Sequence, residues 1–476
     1  TATEGDVLLA GVGAMRDGTI SAKVDVKIDA ITASQKLSVT AGRDITLGDG
    51  TSTITGGVTL NATQNVLIEA GQAKLDAVTA GSSVNLRGGA IDIGTVTAPR
   101  VFAQSSSVKL GTVTTNGDLY VIATNGDANV GTARAGDDIF VLANNGSASL
   151  GDATLTAAAP DAVGLEFVGN PDTAGNGRIV RVESQNFDAK LGLGTGGVTG
   201  ATAITVRGGR DAALDITRQS AGSVSVIASR DATLRAPSIQ LDNVSAGRDL
   251  TIGSTTNDFT LTSPLTAVRN ITVTALGALR VGDVRADAGS ITLQGGTVQA
   301  GNLSASEDLT LRATSGGVTT TSYRTGRDLI LQGTTLSLGQ AIAPVARDLS
   351  ITSLGNFTST SPLSAGGNVT IDVAGRAILG QTSGGGLIRI AASDLDLTGT
   401  VTAPTIQIES RAGALRVGGA AATGSFVLDN NEFGQLRASS QVKIYAGLTT
   451  GGTRGDLTLQ DLAVTPGNTP SVTFLV

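Results

Sequence analysis

Five Arg-Asp pairs are the residues best placed, by type and spacing, to do chemistry: Arg210-Asp211, Arg230-Asp231, Arg248-Asp249, Arg327-Asp328 and Arg347-Asp348. A carboxylate can ligate a hard cation, and a guanidinium forks onto oxyanions. A repeated pair therefore suggests a charged stripe for an anionic glycan or a row of ion sites. The same pair has a plainer use. Asp can accept a backbone hydrogen bond at a turn while Arg bridges to a carboxylate on a neighbouring repeat. Like charges stacked ~4.8 Å apart repel unless opposite charges alternate with them, and Arg beside Asp supplies that alternation. The plainer use is the expected one.

Composition narrows the remaining chemistry. The chain has no His and no Cys, which removes the usual general base, the thiol nucleophile and any disulfide. It has no Trp and only Tyr120, Tyr323 and Tyr445, too scattered to floor a sugar-cleaving groove. No enzyme is expected. Calcium takes 6–8 oxygens, whereas Asp137-Asp138 and Asp394/Asp396 are isolated acidic pairs and no tandem Gly-Gly-x-Gly-x-Asp run occurs. Calcium is therefore not expected, nor any other cofactor. A net charge of −7 argues against nucleic acid or an anionic membrane as partner. No uninterrupted apolar stretch of roughly 18 residues exists, so membrane insertion is not expected. Thr1 opens the chain without a basic and then apolar leader, which suggests a mature product or a part of something longer.

The elements that position these residues follow from their spacing. The Asp/Asn/Ser position of the motif recurs at Asp211, Asp231, Asp249, Asn270, Ser290, Asp308, Asp328, Asp348 and Asn368. The steps are 20, 18, 21, 20, 18, 20, 20 and 20 residues. Asp44, in Ala41-Gly-Arg-Asp-Ile-Thr-Leu47, is read as an earlier copy of this turn ladder. A fixed period of this size marks a solenoid, whose units bury their apolar faces only against stacked neighbours. Within a period, apolar residues alternate with Thr, Ser or Asn, as in Asp328-Leu-Ile-Leu331 and Leu336-Ser-Leu338. That is the period-2 pattern of a strand with one buried side. Clusters drawn from the chain's 65 Gly, with Asn, Asp and Ser, separate the strands and are expected to supply φ > 0 and turn bonds. Helix signals are nearly absent. The fold class expected is all-β: a right-handed parallel β-helix, about twenty residues per rung and three short strands per rung, over 1–476 as one continuous rod. Thr251, Thr272, Thr292, Thr310 and Thr370 form an outward ladder that stacks well on itself.

Two stretches break the period, at about 157–197 and 425–447. The first holds the polar run Gly169 to Arg178, flanked by Phe167-Val168 and Ile179-Val-Arg-Val182, and reads as a hairpin-like protrusion. The second is of the same type, with Phe426-Val-Leu428, Asp429-Asn-Asn431 and Val442-Lys-Ile-Tyr445. Insertions in solenoids map to loops that leave the stack. Asn170, Asp172, Asn176, Arg178, Asp429, Asn430 and Asn431 are therefore the candidate partner-binding residues.

Gly-rich rungs carrying Ala-Gly-[Arg/Ser/Asp]-[Asp/Ser]-[Ile/Leu/Val] resemble the large exoproteins of two-partner secretion, the filamentous-haemagglutinin family. The copies are Ala41–Leu47, Ala80–Leu86, Ala135–Val141, Ala246–Ile252, Thr325–Leu331 and Ala365–Ile371. The resemblance implies an extracellular right-handed β-helix on a Gram-negative surface, serving adhesion or biofilm cohesion. Its partners would be glycans or proteins of host or neighbouring cells, other copies of itself, and an outer-membrane secretion partner. The family's secretion domain carries an Asn-Pro-Asn-Gly motif, which only Asn170-Pro171-Asp172 approaches. The segment thus reads as shaft, a non-enzymatic structural and adhesive protein; the alternative is a self-assembling surface-layer or biofilm-matrix scaffold.

Overall fold

The structure is a computed structural model. It describes residues 2–14, 18–48, 53–156, 179–192, 197–199, 203–215, 218–219, 223–236, 241–254, 258–359, 361–420, 426–447, 455–462 and 471–475. The chain divides into two compact units, Thr1–Gly247 and Arg248–Val476. Each is a parallel β-solenoid.

In the first unit the described strands lie on three faces, each a ladder of parallel strands. On the first face Ile45 pairs with Val66, Val66 with Val84, Val84 with Val101, and Val101 with Leu119. On the second, Ile91 pairs with Val108, Val108 with Ala128, and Ala128 with Ala148. On the third, Val96 pairs with Val113 and Val113 with Ala133. Alternation decides which side is buried. Val26, Ile45, Val66, Val84, Val101, Leu119, Ile139 and Val180 form one inward column, each 1% exposed or less. Each such side chain contributes about 1.5–3 kcal/mol by leaving water.

The second unit repeats the plan. Its longest ladder runs through Leu250, Ile271, Ile291, Leu309, Leu329, Leu349, Val369, Ile388 and Ile406. The differences between successive numbers are 21, 20, 18, 20, 20, 20, 19 and 18 residues, the period read from the sequence. The Thr ladder lies one residue along, with Thr251, Thr272, Thr292 and Thr310 in register and Ile330 next.

Two expectations about the irregular stretches are corrected. Ile179–Ser184 is no arm of a protrusion but an ordinary first-face strand, parallel to Ile139–Ala143 below and Ala203–Gly208 above. The step from Ile139 to Val180 is 41 residues, so the ladder closes across the extra chain. Residues 157–178, which include Phe167 and Val168, lie outside the described residues.

The 425–447 stretch is not a hairpin either. Phe426–Leu428 pairs in parallel with Leu415–Val417, which also pairs with Leu457–Leu459. A one-turn helix, Asn430–Phe433, follows, and Leu436–Ala446 then resumes the stack on Val401–Ser410. The apolar triplet explains this: Phe426, Val427 and Leu428 are all buried, which a protruding two-stranded arm cannot provide. The last strand of the insertion rejoins the stack, so Val401 pairs with Leu436, a step of 35 residues, while Phe426–Leu428 lies in a separate three-stranded sheet.

Candidate functional site: corner ladders and the folded-in insertion

The motif residues sit at corners, immediately before a strand. In the second unit, from Asn270 to Asn368, each donates its backbone N–H to the side chain one turn back. Asn270 donates to Asp249 (3.1 Å), Ser290 to Asn270 (3.0 Å), Asp308 to Ser290 (3.2 Å) and Asp328 to Asp308 (3.2 Å). Asp348 then donates to Asp328 (3.1 Å), Asn368 to Asp348 (2.7 Å) and Leu387 to Asn368 (2.9 Å). Any short side chain with an acceptor oxygen serves, which is why Asp, Asn and Ser interchange here.

Arg adds a second grip. Arg327 Nε lies 2.8 Å from an oxygen of Asp308, and Arg347 Nε 2.7 Å from one of Asp328, each pair closed by a second bond from Nη2. Arg210 and Arg230 hold Asp188 and Asp211 in the same bidentate way. The guanidinium hydrogen bonds are the main reason the carboxyls of Asp25, Asp188, Asp308 and Asp328 sit below their ordinary value of 3.8, against a smaller opposing effect of burial. These carboxylates are occupied by their own chain.

The ladder is not one column. In the first unit Asp44 precedes Ile45 on the first face, whereas Asp211 precedes Ala212 on the second. Asp44 belongs with Asp25, Asn65, Asp118 and Asp138 at the third-to-first corner, where Asn65 donates to Asp44 (2.9 Å) and Asp138 to Asp118 (3.2 Å). Asp211 and Asp231 belong with Asp127 and Asp188 at the first-to-second corner, where Asp231 donates to Asp211 (3.2 Å). Every corner poses the same demand for an acceptor before the strand, so one motif fits several corners.

The motif's glycine is explained by close approach. A Cβ on Gly42 would stand 1.9 Å from the carbonyl oxygen of Lys23, and one on Gly326 2.0 Å from that of Ser306. Neither has positive φ, so the expected left-handed turn is not the reason here.

The candidate binding residues divide. Asn170, Asp172, Asn176 and Arg178 lie outside the described residues. Asp429 is 8% exposed and is the N-cap of the Asn430–Phe433 helix, its carboxylate accepting from Glu432 N (2.9 Å). Glu432 reaches back to Asp429 N (3.0 Å), completing a capping box. Asn430 donates from its side chain to the Asp461 carbonyl (3.0 Å), and Asn431 is exposed. Asp138, from the first acidic pair weighed for calcium, accepts from Ile179 N (2.8 Å). Asp394 and Asp396 are both bridged by Arg376. Among the described residues no group of three or more acidic side chains is placed to hold a metal.

Sequence reasoning passed over two features. Phe102, Tyr120 and Phe140 are register partners on the outer side of the first face, with Ile122 and Leu142 beside them. The Tyr120 and Phe140 rings stack at 4.8 Å and 3°. Phe140 is buried and the other four are partly exposed. The signal was present: aromatic residues spaced by 18 and 20 in a chain with only twelve Phe and Tyr (9 and 3). The second feature is Asp429-x-x-Glu432, the spacing of a capping box.

No protein family, curated protein or solved structure matches this chain.

Proposed function

We propose that the chain is a non-enzymatic shaft of an extracellular bacterial surface filament that mediates adhesion or cohesion. The observation that carries this reading is the use to which the repeated polar residues are put. Asp308 and Asp328 each give one carboxylate to both the backbone and the arginine of the next turn. Repetition of the motif therefore adds length, one turn per ~4.8 Å, without multiplying a site open to ligand. Partners of such a shaft are glycans or proteins of another cell, or further copies of the chain. Immunogold labelling of intact source cells tests this. Label along thin filaments outside the outer membrane is expected; label confined to the cell interior would sink the reading.

Lateral cohesion in a matrix or surface layer is the second reading. It is favoured by the partly exposed row of Phe102, Tyr120, Ile122 and Leu142, apolar side chains whose remaining surface gains by burial against a second copy. Sedimentation velocity of the wild type and of Ile122→Ser decides between them. Concentration-dependent association that weakens in the variant supports cohesion; a monomer at every concentration removes it.

A further inference from the structure

The folded-in insertion is fastened at one carboxylate. Glu432 accepts from Asp429 N through one oxygen (3.0 Å) and from Leu397 N through the other (3.2 Å). The first bond closes the one-turn helix. The second ties that helix to the end of Asp394–Leu397, a strand of the regular stack. The same turn carries the chain from the inserted strand Phe426–Leu428 back into register, where Val401 N donates to the Gln435 carbonyl (3.0 Å). Phe433, within the turn, is buried.

The charged surroundings of Glu432 are mostly acidic. Asp429 lies on its own turn at 8% exposure, and Asp396 lies on the strand beneath. Arg376, one turn further down, is committed to Asp396 and Asp394. Asp461, on the other side of the helix, meets it through its main-chain carbonyl. An ionised Glu432 is thus a partly buried charge that feels two other carboxylates, and among the described residues no cation pairs with it.

We propose that the Asp429–Gln435 turn is a proton-operated latch: with Glu432 protonated it holds the inserted Phe426–Leu428 strand against the Asp394–Leu397 strand of the stack, and with Glu432 ionised the repulsion among the carboxylates pushes the turn open. Protonation leaves the carbonyl oxygen a full acceptor for one N–H and weakens the bond at the hydroxyl oxygen, so the two backbone bonds oppose it. Burial is the main cause that pushes Glu432 up from 4.5 to about 7, with the Asp429 and Asp396 charges adding to it against the two backbone bonds. A group whose pKa is raised in the closed state favours closure most at low pH and loses that contribution as pH rises toward 7. That raise implies an opening constant larger by on the order of tenfold at pH 8.0 than at pH 5.5.

Amide hydrogen exchange of Phe426–Gln435 in the full chain, corrected for the intrinsic rate at each pH, measures this opening. A rise of that order between pH 5.5 and 8.0 is expected, centred near neutrality, with no matching rise in the Leu329–Gly333 strand. Glu432→Gln should abolish the pH dependence. Asp396→Asn leaves the latch carboxyl in place and should move the midpoint to lower pH. A pH-independent opening in the wild type, a dependence that survives Glu432→Gln, or an unmoved midpoint in Asp396→Asn overturns the proposal.

Discussion

At the scale of single residues, the corner is the unit of construction. Asp328 accepts from Arg347 and from Asp348 N, and the two bonds differ in weight. The guanidinium is exposed, and exposed ion pairs add little in water. The backbone N–H sits at a half-buried corner, where losing its partner costs about 1–2 kcal/mol. Asp328→Ala should therefore lower stability by about that much in urea unfolding, whereas Asp328→Asn, which keeps an acceptor, should cost less. The four carboxyls held below 3.8 make a pH prediction with a definite sign. Their contribution is fully present above the unfolded value and is lost as pH falls through the lower folded value. Unfolding by acid should thus begin below about pH 4, and replacing Asp308 and Asp328 together by Asn should flatten the curve there. Gly326→Ala should destabilise by more than the Asp328 variants, because its Cβ meets backbone 2.0 Å away and a carbonyl of the stack cannot yield as a flexible side chain does.

At the scale of elements, the insertion at 425–447 puts its first strand in a separate three-stranded sheet and its last strand on the stack. Phe426 is fully buried on that inserted strand. Phe426→Ala should cost about 3–5 kcal/mol. The loss should be read first as faster hydrogen exchange in the three-stranded sheet of Leu415–Val417, Phe426–Leu428 and Leu457–Leu459. Equal loosening of the Leu250 ladder would count against a local role. The strands themselves were legible in the sequence, because alternation of Leu329, Leu331 and their neighbours with polar residues is a local property. The parallel partner of Phe426–Leu428 was not. Period-2 alternation gives a strand but no direction of pairing, and a short polar run between two apolar runs reads equally as a hairpin loop.

At the scale of the molecule, regular stacking makes the turn the unit of deletion. Removing Asp328–Arg347 takes out twenty residues and joins Arg327 to Asp348, which restores an Arg-Asp corner over Asp308. That variant should fold, with a cooperative transition and an unchanged far-ultraviolet spectrum per residue. Removing ten residues, Asp328–Ser337, puts each later strand on the wrong face and should unfold that unit. Equal folding of both variants would contradict a stacked architecture.

The sequence by itself determined the period, the strand pattern and the corner residues, since each is set by interactions that repeat with fixed chain spacing: a side-chain acceptor before every strand and an apolar residue at every second position within it. It also contained the spacing of the aromatic row and the Asp-x-x-Glu box. Only the tertiary structure decided which corner each copy of the motif occupies. Asp44 and Asp211 carry the same local signature but open different faces, because corner identity depends on how many residues the preceding strands consume in three dimensions. It likewise decided that Glu432, a residue of ordinary surface type, is tied to Asp429 N and Leu397 N and feels the charges of Asp429 and Asp396. That environment arises from stacking 35 residues of chain between Val401 and Leu436, a distance over which no local pattern carries information.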